Sequence, residues 1–191
     1  MRVFVAGAGG AVGRRLVPKL VERGHEVVAS TRSAAKLDTL CALGAQPVAM
    51  DGLDAGAVGE TVARAEAHVV VHQMTALAGF TDLRRFDDGF ALTNELRRRG
   101  TDHLLAAADA VGVRRFVAQS FTGWPNERTG SRVKTELDPL DPHPPAKQRV
   151  SLDAIRYLEN AVTSASSVEA VVLRYGTLYG PGTAMEREYR P

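Results

Sequence analysis

The chain opens MRVFVAGAGGAVG, Met1 to Gly13. Arg2 to Ala6 is a short apolar run of Val, Phe and Ala, the composition of a strand buried on both faces. It leads straight into Gly7, Gly10 and Gly13, beyond which an apolar repeat of helical period begins. Glycine at position 7 lets the chain turn sharply off the strand. At position 10 it lets backbone approach a ligand with no side chain between, and at position 13 it lets the helix pack closely. A helix starting here aims unpaired N–H groups and the positive end of its dipole at the turn. The guest it suits is a pyrophosphate, cradled by Gly7, Gly10, Ala11, Val12 and Gly13. Strand, glycine turn and helix in this order predict a dinucleotide site.

Working outward, the first helix carries Val12, Leu16, Leu20 and Val21 on one face and closes at Gly24, with Pro18 inside it as a local conflict. His25–Ser30 reads as the second strand, and Ser33–Gly44 as a helix with Ser33 at its N-cap and Leu37 and Leu40 inward. Ala45–Met50 is the third strand, Ala55–Ala65 a short helix and His68–His72 the fourth strand. A long helix is expected over Phe90–Val111, a fifth strand over Arg114–Gln119, a helix over Ser151–Ser164 and a sixth strand over Val168–Arg174. Pro125, Pro139, Pro142, Pro144 and Pro145 predict a long loop between Trp124 and Lys147. Strands alternating with helices imply right-handed parallel βαβ units. The expected fold is α/β, a doubly wound parallel sheet of Rossmann type with six strands in the order 3-2-1-4-5-6 and a ligand crevice at the strands' C-terminal ends. Residues 1–182 are expected to form the nucleotide-binding domain, and 183–191 a polar tail.

The bulk composition narrows the classes of function. The chain has 191 residues, 45% of them hydrophobic and 24% charged, an ordinary balance for one globular domain. No run approaches the roughly 20 apolar residues of a membrane span, and the N-terminus lacks the layout of a signal peptide. The single cysteine, Cys41, fits a reducing cytoplasm and reads as a small buried side chain on a helix. A net charge of +2 gives no case for a nucleic-acid partner. The arginine clusters Arg14-Arg15, Arg84-Arg85, Arg97-Arg98-Arg99 and Arg114-Arg115 read as solvated surface. No metal site is expected.

The end of the second strand bears on which dinucleotide binds. An acidic residue there would hold the adenosine ribose hydroxyls and mark NAD. Ser30, Thr31 and Arg32 occupy that place, with no acid until Asp38. Without a carboxylate there is no repulsion against a 2′-phosphate, and Arg32 offers a guanidinium to pair with it. NADP is therefore expected in preference to NAD.

The glycine spacing G-x-x-G-x-x-G resembles that of the extended and atypical short-chain dehydrogenase/reductases, the superfamily of NAD-dependent epimerases and dehydratases. Further segments resemble it along the chain. They are Asp51-x-x-Asp54; Asn94 with Gly100-Thr101 and Leu104-Leu105; Arg115-Phe116-Val117 with Ser120; Thr135-Glu136 with Pro139-Leu140 and Pro142; and Leu173-Arg174-Tyr175-Gly176 with Tyr179-Gly180-Pro181-Gly182. The resemblance implies that Asp51 accepts from the adenine amino group and Leu53 packs on the ring, although Asp54 can equally cap a helix. It also implies that Gly52, Gln73, Gln119, Ser120 and Tyr175 lie beside the cofactor. His72, in His72-Gln73-Met74, is read as a strand-end residue rather than a general base.

The sequence departs from the family in its acid/base residues. Members that do redox chemistry carry Tyr-x-x-x-Lys on the helix before strand six, where the lysine lowers the tyrosine pKa. Aligned on Glu159, those positions are Ser151 and Ile155; aligned on the proline loop, they are Ala146 and Val150. None of Tyr157, Tyr175, Tyr179 and Tyr189 has a lysine four residues later, and Tyr157 points about 200° away from position 155. Leu152, Ile155, Leu158 and Val162 form a plain core stripe instead. Phe121 falls where the family has its catalytic hydroxyl, leaving Ser120 and Thr122 as candidates. Lys134, Glu136, His143 and Lys147 in the proline loop are further acid/base groups that nothing singles out. Family members also continue well past Y-G-P-G into a small substrate-holding domain, which is not seen here.

Three functions stay open at this stage. One is redox chemistry on a carbonyl, hydroxyl or sugar-nucleotide substrate with an unusual acid/base residue. The others are a non-catalytic NADP-binding sensor or regulator, similar to NmrA-like proteins, and an inactive truncated product. The valine-rich sixth strand, an edge without proline, leads us to expect self-association through this edge or through the long Phe90–Val111 helix, or else aggregation.

Overall fold

Six parallel strands make one sheet in the order β3-β2-β1-β4-β5-β6, as expected from the alternation of strands and helices. They are β1 (Arg2–Ala6), β2 (Glu26–Thr31), β3 (Gln46–Ala49), β4 (Val69–His72), β5 (Arg115–Phe121) and β6 (Glu169–Tyr175). The computed structural model describes residues 1–77, 86–180 and 183. Arg84-Arg85, Pro181-Gly182, Tyr189 and the tail boundary at 182 lie outside the described residues.

The apolar run of β1 is buried on both faces because β1 is central, paired to β2 on one side and β4 on the other. Its alternate residues feed two cores. Val3 and Val5 join Val17 of α1 (Gly13–Glu22) and Leu40 of α2 (Leu37–Ala42) on one face. Phe4 and Ala6 join Val58 and Val62 of α3 (Ala55–Ala65), Leu104 of α5 (Thr101–Ala110) and Leu158 of α6 (Arg149–Thr163) on the other. The expected stripe Leu152, Ile155, Leu158 and Val162 on α6 is fully buried.

Several local expectations need correction. In α1 the fully buried residue is Val17, while Leu16, Leu20 and Val21 are half-buried. Gly13 seats the helix so close to the loop that the residue one turn on faces the sheet. The helix runs through Pro18 unbroken. Ser33 makes no side-chain cap bond, because a 3-10 turn over Ala34–Lys36 precedes α2. Cys41 is exposed, since Leu40 beside it takes the inward direction and successive residues point about 100° apart. β5 runs two residues further than expected and so takes in Ser120 and Phe121.

The long helix begins at Phe86 and is not uniform. α4 (Phe86–Glu95) passes through a π-helical turn, Leu96–Gly100, into α5. At Gly100 a Cβ would stand 3.1 Å from Met74 Cε, so the wide turn packs tightly over the segment leaving β4. The start of α6 is secured from α4. Asp87 accepts from the backbone N–H groups of Val150 and Ser151, at 3.2 and 3.0 Å, and from the Ser151 hydroxyl at 2.5 Å. Asp87 so caps α6, whose own N-cap, Gln148, makes no side-chain cap bond.

His72 ends β4 fully inside the protein. Its Nδ1 accepts from the Met74 N–H at 3.2 Å, which leaves Nε2 as the donor to Thr101 Oγ1 at 3.1 Å. Burial lowers its pKa from 6.5 to about 4, with the Arg97 charge adding and a backbone hydrogen bond at Leu96 opposing. As pH falls, the unfolded chain takes up this proton near 6.5 and the folded chain only near 4. The contribution is complete above 6.5 and lost towards 4, amounting to about 3 kcal/mol. Urea unfolding at pH 7.5 and 4.5 should therefore show a larger stability loss for the parent than for His72→Gln, by about 2–3 kcal/mol. Equal losses would mean that His72 is already charged when folded.

Candidate functional site

The glycine turn lies at the C-terminal ends of β1 and β4, where the strand order reverses direction. Gly7 has φ +82°, and a Cβ there would stand 2.7 Å from the Gln73 carbonyl oxygen. At Gly13 a Cβ would be 2.4 Å from the Ala8 carbonyl oxygen. Gly10 differs: a Cβ would meet only the Gly7 carbonyl oxygen, at 3.3 Å, and the residue is exposed. Positions 7 and 13 are thus closed by the protein itself, while position 10 faces open space. No acidic residue stands in the first turn of α1, and Val12 at its N-cap makes no side-chain bond. Among the described residues the N–H groups of Ala11, Val12 and Gly13 have no backbone acceptor. That leaves donors and a positive dipole end for an anion.

These residues open onto a cleft of about 460 Å³ along the ends of the strands. Of the expected cofactor residues, Gly7, Gly10, Ala11, Val12, Gly13, Thr31, Arg32, Asp51, Gly52, Gln73 and Gln119 line it. Its two ends differ in chemistry. Over β2 and β3 stand Thr31, Arg32, Ser33 and Lys36, with Asp51 and Gly52 beside them. Over β5 and β6 the walls are Gln119, Phe121 and the segment Gly176–Leu178. Asp51 Oδ1 accepts from the Leu53 N–H at 3.0 Å, and Asp54 caps α3 through the Ala57 N–H at 3.0 Å. The capping role weighed for Asp54 is therefore present, and Asp51 remains at the cleft.

Four expected residues do not line the cleft. Leu53 packs on the core under α3 and α5. Tyr175 stands behind Gln73, its hydroxyl accepting from Gln73 Nε2 at 3.4 Å. Ser120 is buried and donates to Glu159 Oε1 at 2.5 Å, while Arg174 grips the same carboxylate through Nε and a terminal nitrogen at 2.9 and 2.8 Å. This pairing raises the Arg174 pKa. Thr122 donates to Asn126 Oδ1 at 2.9 Å. Lys134, Glu136, His143 and Lys147 stay in the proline loop outside the cleft. Tyr157 is exposed and bonds Asp102, as its helical position requires.

Sequence reasoning missed two cations of the cleft. Lys36 lies across the glycine turn, with Nζ donating to the Gly9 carbonyl at 3.1 Å. A lysine four residues after Arg32, on the turn leaving β2, was the available signal. Arg97, expected on a solvated face, is 6% exposed and lines the cleft from the π-helical turn. The stripe Thr93, Asn94, Arg97, Thr101 and Leu104 repeats at helical spacing, and every member is buried. Arg98 and Arg99 beside it are more exposed, and Arg114 and Arg115 pair with Glu169 at the surface.

Known proteins carry the same architecture. A family model described as NAD(P)H-binding matches residues 7–189. A 3-diazoavenalumate denitrifying reductase from a Streptomyces species is 44% identical, over 98% of this chain and 60% of its own length. A 2-alkyl-3-oxoalkanoate reductase from Stenotrophomonas maltophilia is 29% identical, over 95% of this chain and 52% of its own. The chain thus spans little more than half the length of these relatives. Among solved structures, UDP-glucose 4-epimerase of Thermus thermophilus in complex with NAD superposes with a TM-score of 0.76 at 26% identity, over 96% of this chain and 57% of that one. No helix among the described residues is long and apolar enough to cross a membrane. With a glycine turn, a cleft and a strand order that all agree with the matched model, the chain belongs to the NAD(P)H-binding family, within the superfamily of short-chain dehydrogenase/reductases and NAD-dependent epimerases and dehydratases.

Proposed function

We propose that this chain is the nucleotide-binding part of a reductase that uses NADP(H). The observation that carries this is the end of β2, where Thr31, Arg32, Ser33 and Lys36 line the cleft and no carboxylate follows the strand. Two cations suit a 2′-phosphate, and an acid would repel it. The residues present fit the rest of a dinucleotide. The open position at Gly10 and the first amides of α1 suit the diphosphate, and Asp51 stands ready for the adenine amino group. Both relatives described above are named reductases, which supports reduction as the chemistry.

A bound nicotinamide dinucleotide supplies a hydride. Reduction of a carbonyl by hydride leaves an alkoxide that must be protonated. Reduction of an arenediazonium cation to the arene and N₂ consumes the hydride alone and needs no acid. The first candidate hydroxyl, Ser120, is committed to Glu159, and the second, Thr122, to Asn126. This favours an acceptor of the second kind, in keeping with the name of the 44%-identical relative. With NADPH, an arenediazonium carboxylate should release N₂ while a simple ketone is not reduced. Ketone reduction at a comparable rate would remove this reading.

Calorimetry should find NADPH bound more tightly than NADH. Arg32→Ala should weaken NADPH by about 1.5–3 kcal/mol, the range for a charged hydrogen bond, and leave NADH nearly unchanged. Equal affinities in the parent would count against the assignment. Gly10→Val should keep the thermal midpoint close to that of the parent and abolish binding of both dinucleotides, because the side chain fills the diphosphate space. Binding at parental affinity would make the turn a purely structural device.

A further inference from the structure

Arg97 is a buried charge without a counter-charge. Among the described residues no carboxylate pairs with it. Its terminal nitrogen donates to Asn94 Oδ1 at 3.3 Å, and its guanidinium carbon stands 5.7 Å from the centre of the Phe90 ring. A guanidinium has five N–H donors, so most of its capacity is unused. Burial pushes its pKa down to about 10, which still leaves it charged at neutral pH. An uncompensated buried charge is costly, and proteins rarely keep one without a partner.

The same cleft holds a second unsatisfied group. Gln73 is 4% exposed and its Oε1 has no hydrogen-bond partner, although its Nε2 is held by Tyr175. Both side chains line the cleft, one presenting a cation with free donors and the other an acceptor. An anionic, hydroxylated ligand would satisfy both.

Their place in the sheet says which part of a dinucleotide that is. Thr31, Arg32 and Asp51 sit over β2 and β3, on one side of β1. Gln73 follows β4, on the other side, and Arg97 lies on the helical run after it, close enough for its charge to act on His72. β2 and β4 lie two strand spacings apart, about 10 Å, roughly the span of a diphosphate between two riboses.

We propose that Arg97 and Gln73 bind the nicotinamide half of the dinucleotide, Arg97 through the phosphate and ribose oxygens and Gln73 Oε1 through a ribose hydroxyl. This rests on the reading of the cleft as an NADP(H) site. Arg97 is a binding residue supplied from the π-helical turn after α4 rather than from α6, where the family carries its lysine.

The test compares two ligands by calorimetry on the whole chain: NADPH, and adenosine 2′,5′-bisphosphate, which lacks the nicotinamide half. Arg97→Gln should weaken NADPH by roughly 10–100-fold and leave the bisphosphate within about twofold of the parent. Arg97→Lys keeps the charge but loses the fork, and should fall between; it is read the same way if the glutamine variant does not fold. Gln73→Leu should also weaken NADPH alone. NADPH binding at parental strength in the Arg97 variants would overturn the proposal, as would equal loss of both ligands, since that marks a role in the fold. A parent that binds neither ligand would overturn the dinucleotide reading itself, and this proposal with it.

Discussion

Two backbone segments meet at the centre of the molecule where no side chain fits. β1 and β4 are in register with Ala6 opposite His72, so the next residues, Gly7 and Gln73, come together past the ends of both strands. The Gln73 N–H donates to the Ala6 carbonyl at 2.8 Å, and the Gln73 carbonyl stands where a Cβ of residue 7 would be. Only glycine accepts both that contact and the positive φ. Because the chain turns there, α1 starts against Ala8 and the cleft opens at the reversal of strand order. The segment after β4 is fixed by the same contact. Met74 fills the space over Gly52 and Gly100, which ties β3, β4 and the π-helical turn into one floor.

On the far side of the cleft a different constraint governs. Glu159 on α6 takes the Ser120 hydroxyl and one edge of the Arg174 guanidinium, Nε and a terminal nitrogen, joining β5, β6 and α6. A bidentate pair of this kind is strong and directional, and Arg174 reaches the Asp138 carbonyl of the proline loop as well. Ser120 is thereby part of the scaffold. The arrangement separates the glycine turn, where the N–H groups of Ala11, Val12 and Gly13 lack backbone acceptors, from the β5–β6 side, where Ser120, Glu159 and Arg174 satisfy one another.

The fold was legible because its signals are local and repeated. The valine runs, glycine punctuation and alternation of elements each state the same parallel sheet, and their agreement carried the strand order. The glycine turn was legible at Gly7 and Gly13, where the protein itself excludes a side chain. Arg32 was picked out by its place after the second strand and Asp51 by its resemblance to the family's D-x-x-D, and both line the cleft. Arg97 was not, because three consecutive arginines look alike until the helix is placed against its neighbours. Only one of them points inward, the one that shares a helical face with Thr93, Asn94, Thr101 and Leu104. The hydrogen bond of Ser120 was not legible for a related reason. Its partner Glu159 lies 39 positions away, and a long-range hydrogen bond leaves no mark on spacing.

The π-helical turn also bears on how this chain could change over time. A π turn holds one residue more than an α turn, so losing a residue between Leu96 and Gly100 would convert it to regular helix. Everything before it would then rotate by about 100° relative to α5. Asn94 would leave Ser151, Asp87 would leave the start of α6, and Arg97 would swing out of the cleft. Most helices absorb a one-residue gap at an end. Here the reading frame of the helix face is pinned at both ends, so insertions and deletions belong in the proline loop, where Asn126 and Leu140 bridge the chain without setting any helix phase.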